Sequence, residues 1–113
     1  MYRAGMTLSE PTFLILTAIA AEPRHGYGIV EDVLAISNGR VRLRAGTLYT
    51  ALDRLRGDGW IEVDHEEVVQ SRLRRYYRLT ALGAGKLAEA VERQRQTTAV
   101  ASRRLRNAGF GAA

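Results

Sequence analysis

From Phe13 to Ala20 the chain is apolar at Phe13, Leu14, Ile15, Leu16, Ile19 and Ala20, and no charge interrupts it before Glu22. In front of this run, Ser9-Glu10-Pro11 supplies a capping hydroxyl, an acid and a proline suited to a first helical turn. The pattern predicts a helix that is apolar on most faces, central to the core and ended by Glu22-Pro23. Beyond Arg24-His25-Gly26, the residues Ile29, Val30, Val33 and Leu34 recur at helical spacing and predict a second helix, broken at Asn38-Gly39. Val41-Arg42-Leu43 alternates and predicts a short edge strand. A third helix is expected from about Ala45 to Gly57, with Leu48, Ala51, Leu52 and Leu55 as its apolar stripe. Asp58-Gly59 closes it, because glycine takes the left-handed conformation a helix end often needs.

Two alternating runs follow. Trp60 to His65 places Ile61 and Val63 on one face. Leu73 to Leu79 places Tyr77 and Leu79 on one side, with Arg74, Tyr76 and Arg78 on the other. The connection from Glu66 to Arg72 has no Gly, Pro or Asn, so a longer, mobile hairpin tip is expected rather than a two-residue turn. Thr80 can cap a last helix reaching about Arg106, roughly 40 Å long at 1.5 Å per residue. Its stripe at Ala84, Leu87, Ala88, Val91, Thr98, Ala101 and Leu105 is only weakly apolar, and a lone helix of this kind has little reason to be stable. Asn107 to Ala113 reads as a disordered tail.

Helix, helix, short strand, helix, hairpin, long helix is the order of a mainly α fold: a winged helix-turn-helix with a two-stranded β wing and a long C-terminal dimerisation helix. The expected division is a DNA-binding domain over residues 1–79, the dimerisation helix over 80–107 and a tail over 108–113. In such a fold the third helix enters the major groove with its polar edge, and the wing straddles the adjacent backbone.

Composition narrows the partners. The 113 residues suit one domain, near the size at which a partner subunit helps stability. With no cysteine, disulfides and thiolate metal sites are excluded. No signal-peptide pattern opens the chain, and the apolar run ending at Ala21 is too short to span a bilayer, so a cytoplasmic protein without a membrane partner is expected. The net charge is +5, and Lys86 is the one lysine among 17 cations. Arginine-rich codon usage explains such a composition as readily as a polyanionic partner does, so position decides. Arg42, Arg44 and Arg54 fall around the third helix, and Arg72, Arg74 and Arg75 on or beside the wing. Two scattered histidines do not make a metal site. No Ser-His-Asp constellation is apparent, so an enzyme, a cofactor and a metal are not expected.

The segments "HGYGI" (His25 to Ile29), "GTLYTALDRLRGDGWI" (Gly46 to Ile61) and "RRYYRLTALG" (Arg74 to Gly83) resemble the PadR-like transcriptional regulators in order and spacing, across roughly Leu8 to Val91. The single C-terminal helix is similar to that of the short subfamily, where it forms the dimer interface. The resemblance implies a homodimeric regulator, most often a repressor, bound to a pseudopalindromic operator and in some members released by a small planar or aromatic effector. Three positions depart from the family pattern. Thr50 stands where proline is common, Arg44 where a capping serine is frequent, and the wing lacks a glycine before its basic residues.

Each candidate side chain has a plain structural reading beside the functional one. Thr47, Tyr49 and Thr50, on the first turns of the third helix, can bond phosphates or base edges, while Tyr49 could instead pack on the second helix. Arg54 lies one turn beyond Thr50 and could pair with Asp53 or Asp58. Tyr27, with the free N–H groups of the second helix, could grip a phosphate. Arg44 could add a phosphate contact in place of a cap. Arg72, Arg74 and Arg75 can follow phosphates or enter a minor groove, against the alternative of a solvated strand face. His25 reads first as a helix-start hydrogen bond. Glu62, Asp64, Glu66 and Glu67 would repel DNA and are expected on the strand side turned from it. Trp60 reads as core or subunit interface. On the last helix, Leu87, Ala88, Val91, Gln94 and Thr98 form a dimer seam or line an effector pocket, which would draw on Phe13 or Trp60 because that helix has no aromatic residue. Two rival functions are a winged-helix adaptor that binds protein and a small-molecule carrier with DNA binding secondary.

Overall fold

The computed structural model describes residues 8–111. Helix α1 (Glu10–Ala21) starts at Ser9, whose hydroxyl accepts from the Thr12 N–H, and Pro11 stands in its first turn. Its Ile15, Leu16, Ala18 and Ile19 are almost wholly buried, as expected of a central helix. Strand β1 (Arg24–His25) comes next and leads directly into α2 (Gly26–Ile36). Helix α3 (Ala45–Gly57) has the bounds and the buried stripe that its pattern predicts. Strands β2 (Ile61–Val69) and β3 (Arg72–Leu79) form the hairpin, and α4 (Ala81–Asn107) starts at the Thr80 cap.

Three helices end in the same way. After α2, the Asn38 and Gly39 N–H groups bond back to Ala35 and Leu34. After α3, Gly59 and Trp60 bond to Arg56 and Leu55, and after α4, Gly109 and Phe110 bond to Arg106 and Leu105. Each is a Schellman closure with a left-handed residue at Asn38, Gly59 or Gly109. Residues 108–110 close α4 through these bonds. Ala112 and Ala113 lie outside the described residues.

Two strand expectations are corrected. Residues 41–43 are not a strand; Val41 and Leu43 simply insert into the core as the chain crosses to α3. The third strand is Arg24–His25 instead, pairing antiparallel with Tyr77 and Tyr76, so the sheet order is β1-β3-β2. It is held from both sides, because the Arg24 Nε donates to the Ala18 carbonyl of α1 and its guanidinium lies 3.7 Å from Asp32 of α2.

The hairpin is also tighter than expected. Only Gln70 and Ser71 separate the strands, and both have left-handed φ, 52° and 64°. That is the backbone of a two-residue type I′ turn, made without glycine. Asp64 is a bulge: Val63 faces Tyr77, but His65 faces Tyr76.

One core joins α1, α2, α3, the base of the hairpin and the start of α4. Helix α4 turns Gly83, Leu87 and Ala90 toward it, while Ala84, Ala88, Val91, Gln94 and Thr98 stay exposed. Beyond Arg93 most of α4 is exposed, with Val100 and Ser102 half-buried, and the molecule measures 59 × 30 × 22 Å.

Candidate nucleic-acid interface

The exposed side of α3 carries Gly46, Thr47, Tyr49, Thr50, Asp53 and Arg54, opposite the buried Leu48, Ala51, Leu52 and Leu55. Arg44 is its N-cap, makes no side-chain capping bond and is exposed at the start of the helix. Two grooves flank this face.

The first groove, about 430 Å³, lies between α3 and the start of α1. Ser9, Pro11, Thr12, Thr47, Thr50 and Arg54 line it, among others. Here Arg54 reaches across to the Thr12 hydroxyl at 3.4 Å, and that hydroxyl also receives the Ser9 O–H at 2.9 Å. Arg54 is thus drawn toward α1, while Thr47 and Thr50 are exposed residues along the groove.

The second groove, about 350 Å³, lies between α3 and the wing. Its walls are His25 and Gly26 at the start of α2, Tyr49 and Asp53 of α3, and Leu73, Arg74, Arg75 and Tyr77 of β3. Tyr49 is 49% exposed, and its ring crosses the start of α2. Tyr49 thus packs on the second helix and still keeps about half of its surface open. Tyr27, 66% exposed, stands at the second position of α2, close to this groove but not among the walls described.

The wing's charges are sorted by the bulge at Asp64. The Arg78 guanidinium spans Glu62 and Asp64. His65 sits between Asp64, 2.6 Å from Nδ1, and Glu67, 3.1 Å from Nε2, and Tyr76 donates its O–H to Glu67. Those groups share the face of Tyr76. Past the bulge the alternation reverses, so Glu66 falls on the face of Arg75 and pairs with it at 3.0 Å. The four acids are therefore not all on one side, and Arg75 brings a compensated charge. Neither Arg72 nor Arg74 is paired with a carboxylate among the described residues. Arg72 lies opposite Val69, whereas half-buried Arg74 lies opposite Glu67 in the strand register without forming an ion pair with it.

His25 forms the floor between β1 and α2. Its ring tilts over Tyr76 at 5.1 Å, and Nε2 is buried with no hydrogen-bond partner. Burial, and next the nearby Arg74 charge, hold its pKa below the ordinary histidine range. It caps α2 without the side-chain bond expected of it.

Of the residues proposed for a pocket or seam, Trp60 is 5% exposed and belongs to the core. Phe13 and Leu87 pack partly against that core, and Ala88, Val91, Gln94 and Thr98 face outward. Sequence reasoning gave Gly26 and Asp53 no place in the groove. A helix-start glycine and an acid on a basic helix carry no signal until the fold sets them beside Tyr49.

A polar helix edge beside an arginine-bearing hairpin, on a three-helix core, is the arrangement of a winged helix-turn-helix DNA-binding regulator. No described helix is long and apolar enough to cross a membrane. The family model for the transcriptional regulator PadR-like family matches residues 15–89, more than half of the chain. The chain belongs to that family, whose members regulate transcription and are not enzymes. It is similar to an uncharacterized protein of Lysinibacillus sphaericus, 30% identical over 92 residues, which cover 81% of this chain and 84% of that one. The transcriptional regulator Rv3488 of Mycobacterium tuberculosis is 37% identical over 75 residues, 66% of either chain. The fold matches that of a PadR family transcription regulator from Clostridium difficile R20291, with a TM-score of 0.71 over 86% of this chain and 99% of that one, at 23% identity.

Proposed function

We propose that this regulator is a homodimeric repressor that binds a pseudopalindromic operator through α3 and the wing. Residues 8–79 carry the DNA-binding unit, and α4 pairs with its copy. Thr47, Thr50 and Tyr49 read or position bases and phosphates. Arg44, Tyr27, Arg72 and Arg74 bind the backbone, with Arg54 and Arg75 as weaker contributors because each already has a partner in the protein. The observation that carries this reading is the groove between α3 and the wing, lined by Tyr49 of the helix and by Arg74 and Arg75 of β3.

The dimer follows from α4. Its inward face is short, and the face with Ala84, Ala88, Val91, Gln94 and Thr98 is left open along a helix that runs past the core. Pairing two such faces would cover Val91 and Leu105, 38% and 51% exposed in one chain. Recognition helices held about 34–36 Å apart would then match one turn of DNA. A small planar or aromatic effector would enter between the copies, against Ala88, Gln94 and Thr98. It would release DNA by preferring one spacing of the wings over another.

Selection of duplexes from a random-sequence library by the purified protein tests the reading. A two-fold related consensus supports it. Recovery of no duplex above background overturns it.

A further inference from the structure

Gly26 is an odd choice for the first position of α2. Its φ is not positive, so the backbone does not call for glycine, and alanine is the better helix former. What an added methyl group would meet is Tyr49. A Cβ at residue 26 would stand 2.5 Å from the Tyr49 hydroxyl oxygen and 3.0 Å from Cζ. The three nearest atoms all belong to that one side chain. Its tip can swing away at little cost, because the ring is half-exposed and lies on the edge of α3. A larger residue at 26 would therefore spare the fold and move the phenol. By contrast, Gly28, two residues on, faces only His25 and Arg24, at 3.4 Å or more.

We infer that Gly26 is a positioning residue for DNA recognition: its missing side chain is the slot that lets the Tyr49 ring lie across the start of α2 and holds the phenol in the groove between α3 and the wing. The inference rests on the proposed DNA-binding reading and adds a residue that touches no DNA itself. Tyr49 has several rotamers open to it on an exposed helix edge. Lodging it in the slot selects one before DNA arrives, which lowers the ordering cost of the contact.

The test is a double-mutant cycle on a duplex enriched by the wild-type protein from a random-sequence library. Gly26→Ala, Tyr49→Ala and the double variant are each titrated, and their melting temperatures are measured. Gly26→Ala is expected to weaken binding about tenfold, the upper scale of one ordinary hydrogen bond. It should leave the melting temperature within a few degrees of wild type, and it should have no further effect on binding in the Tyr49→Ala background. Wild-type affinity in Gly26→Ala, or an equal loss in both backgrounds, overturns the inference while leaving DNA binding intact. A fall in melting temperature in both backgrounds also overturns it, because the glycine would then serve the backbone. If the wild-type protein enriches no duplex, the functional reading falls and this inference with it.

Discussion

Gly83 of α4 passes directly against the carbonyl of Trp60, so closely that a methyl group at residue 83 would collide with the main chain. The same carbonyl accepts the Thr80 N–H at 3.1 Å, and the Thr80 hydroxyl donates to the Gly59 carbonyl at 2.6 Å. Here the long helix is fastened to the end of α3 and the root of the wing. Backbone cannot retreat as a flexible side chain can. Gly83→Ala should therefore destabilise the protein by about 3 kcal/mol, the upper range of overpacking. Gly85→Ala, with open space around it, should instead add up to about 1 kcal/mol from helix propensity. Urea unfolding of both variants checks the contrast.

The pairing of α4 with its copy gives a second expectation. Ala88 and Val91 are exposed in one chain, so Ala88→Glu with Val91→Glu should leave the fold of the chain intact. Each dimer would then bury four carboxylates along its seam, which is prohibitive without partners. Sedimentation should show a monomer with native circular dichroism. A dimer of unchanged affinity would place the interface elsewhere.

The two histidines should report opposite pH dependences. His65 has a carboxylate at each ring nitrogen, which suits the doubly protonated ring, and the Asp64 hydrogen bond chiefly raises its pKa above 6.5. Its stabilising contribution is thus full below the unfolded value and fades as pH rises through the raised folded one. His25 is lowered, first by burial, so its contribution is full above the unfolded value and fades as pH falls through the depressed one. Titration of the two ring protons by NMR, in the folded chain and in urea, should place His65 above its unfolded value and His25 below. The reverse order would contradict the wing geometry.

Tyr49→Phe keeps the ring over α2 and deletes the hydroxyl. Operator affinity should fall by about 1–3 kcal/mol if the phenol makes a good base contact, with little change in melting temperature. A loss of stability at unchanged affinity would mean that Tyr49 serves packing alone.

The helices were legible because each has a long apolar period and a marked end: Ser9 and Thr80 in front, Asn38-Gly39 and Asp58-Gly59 behind. The short elements were not. Arg24-His25 is too brief to show a period, and it is a strand only because β3 lies beside it. Val41-Arg42-Leu43 alternates because two anchors enter the core, not because a neighbouring strand exists. The I′ turn was hidden because Gln70 and Ser71 take a left-handed conformation that glycine or asparagine usually marks. In the candidate site, the cationic residues could be read from the sequence but their partners could not. Arg75 meets Glu66 only because one extra residue, Asp64, shifts the register. On α4, the inward place of Gly83 was not legible, because only the fold brings the Trp60 main chain against it.

The central claim is that α3 and the wing bind DNA, with Arg74 as a cation in the groove between them. It is tested most directly by the salt dependence of duplex binding for the wild-type protein and Arg74→Ala. Each phosphate contact contributes about −0.9 to the slope of log K against log salt. Arg74→Ala in both subunits of a dimer should make the slope shallower by about 1.8 and weaken binding to all sequences alike. An unchanged slope and affinity would remove the wing from the interface and contradict the claim.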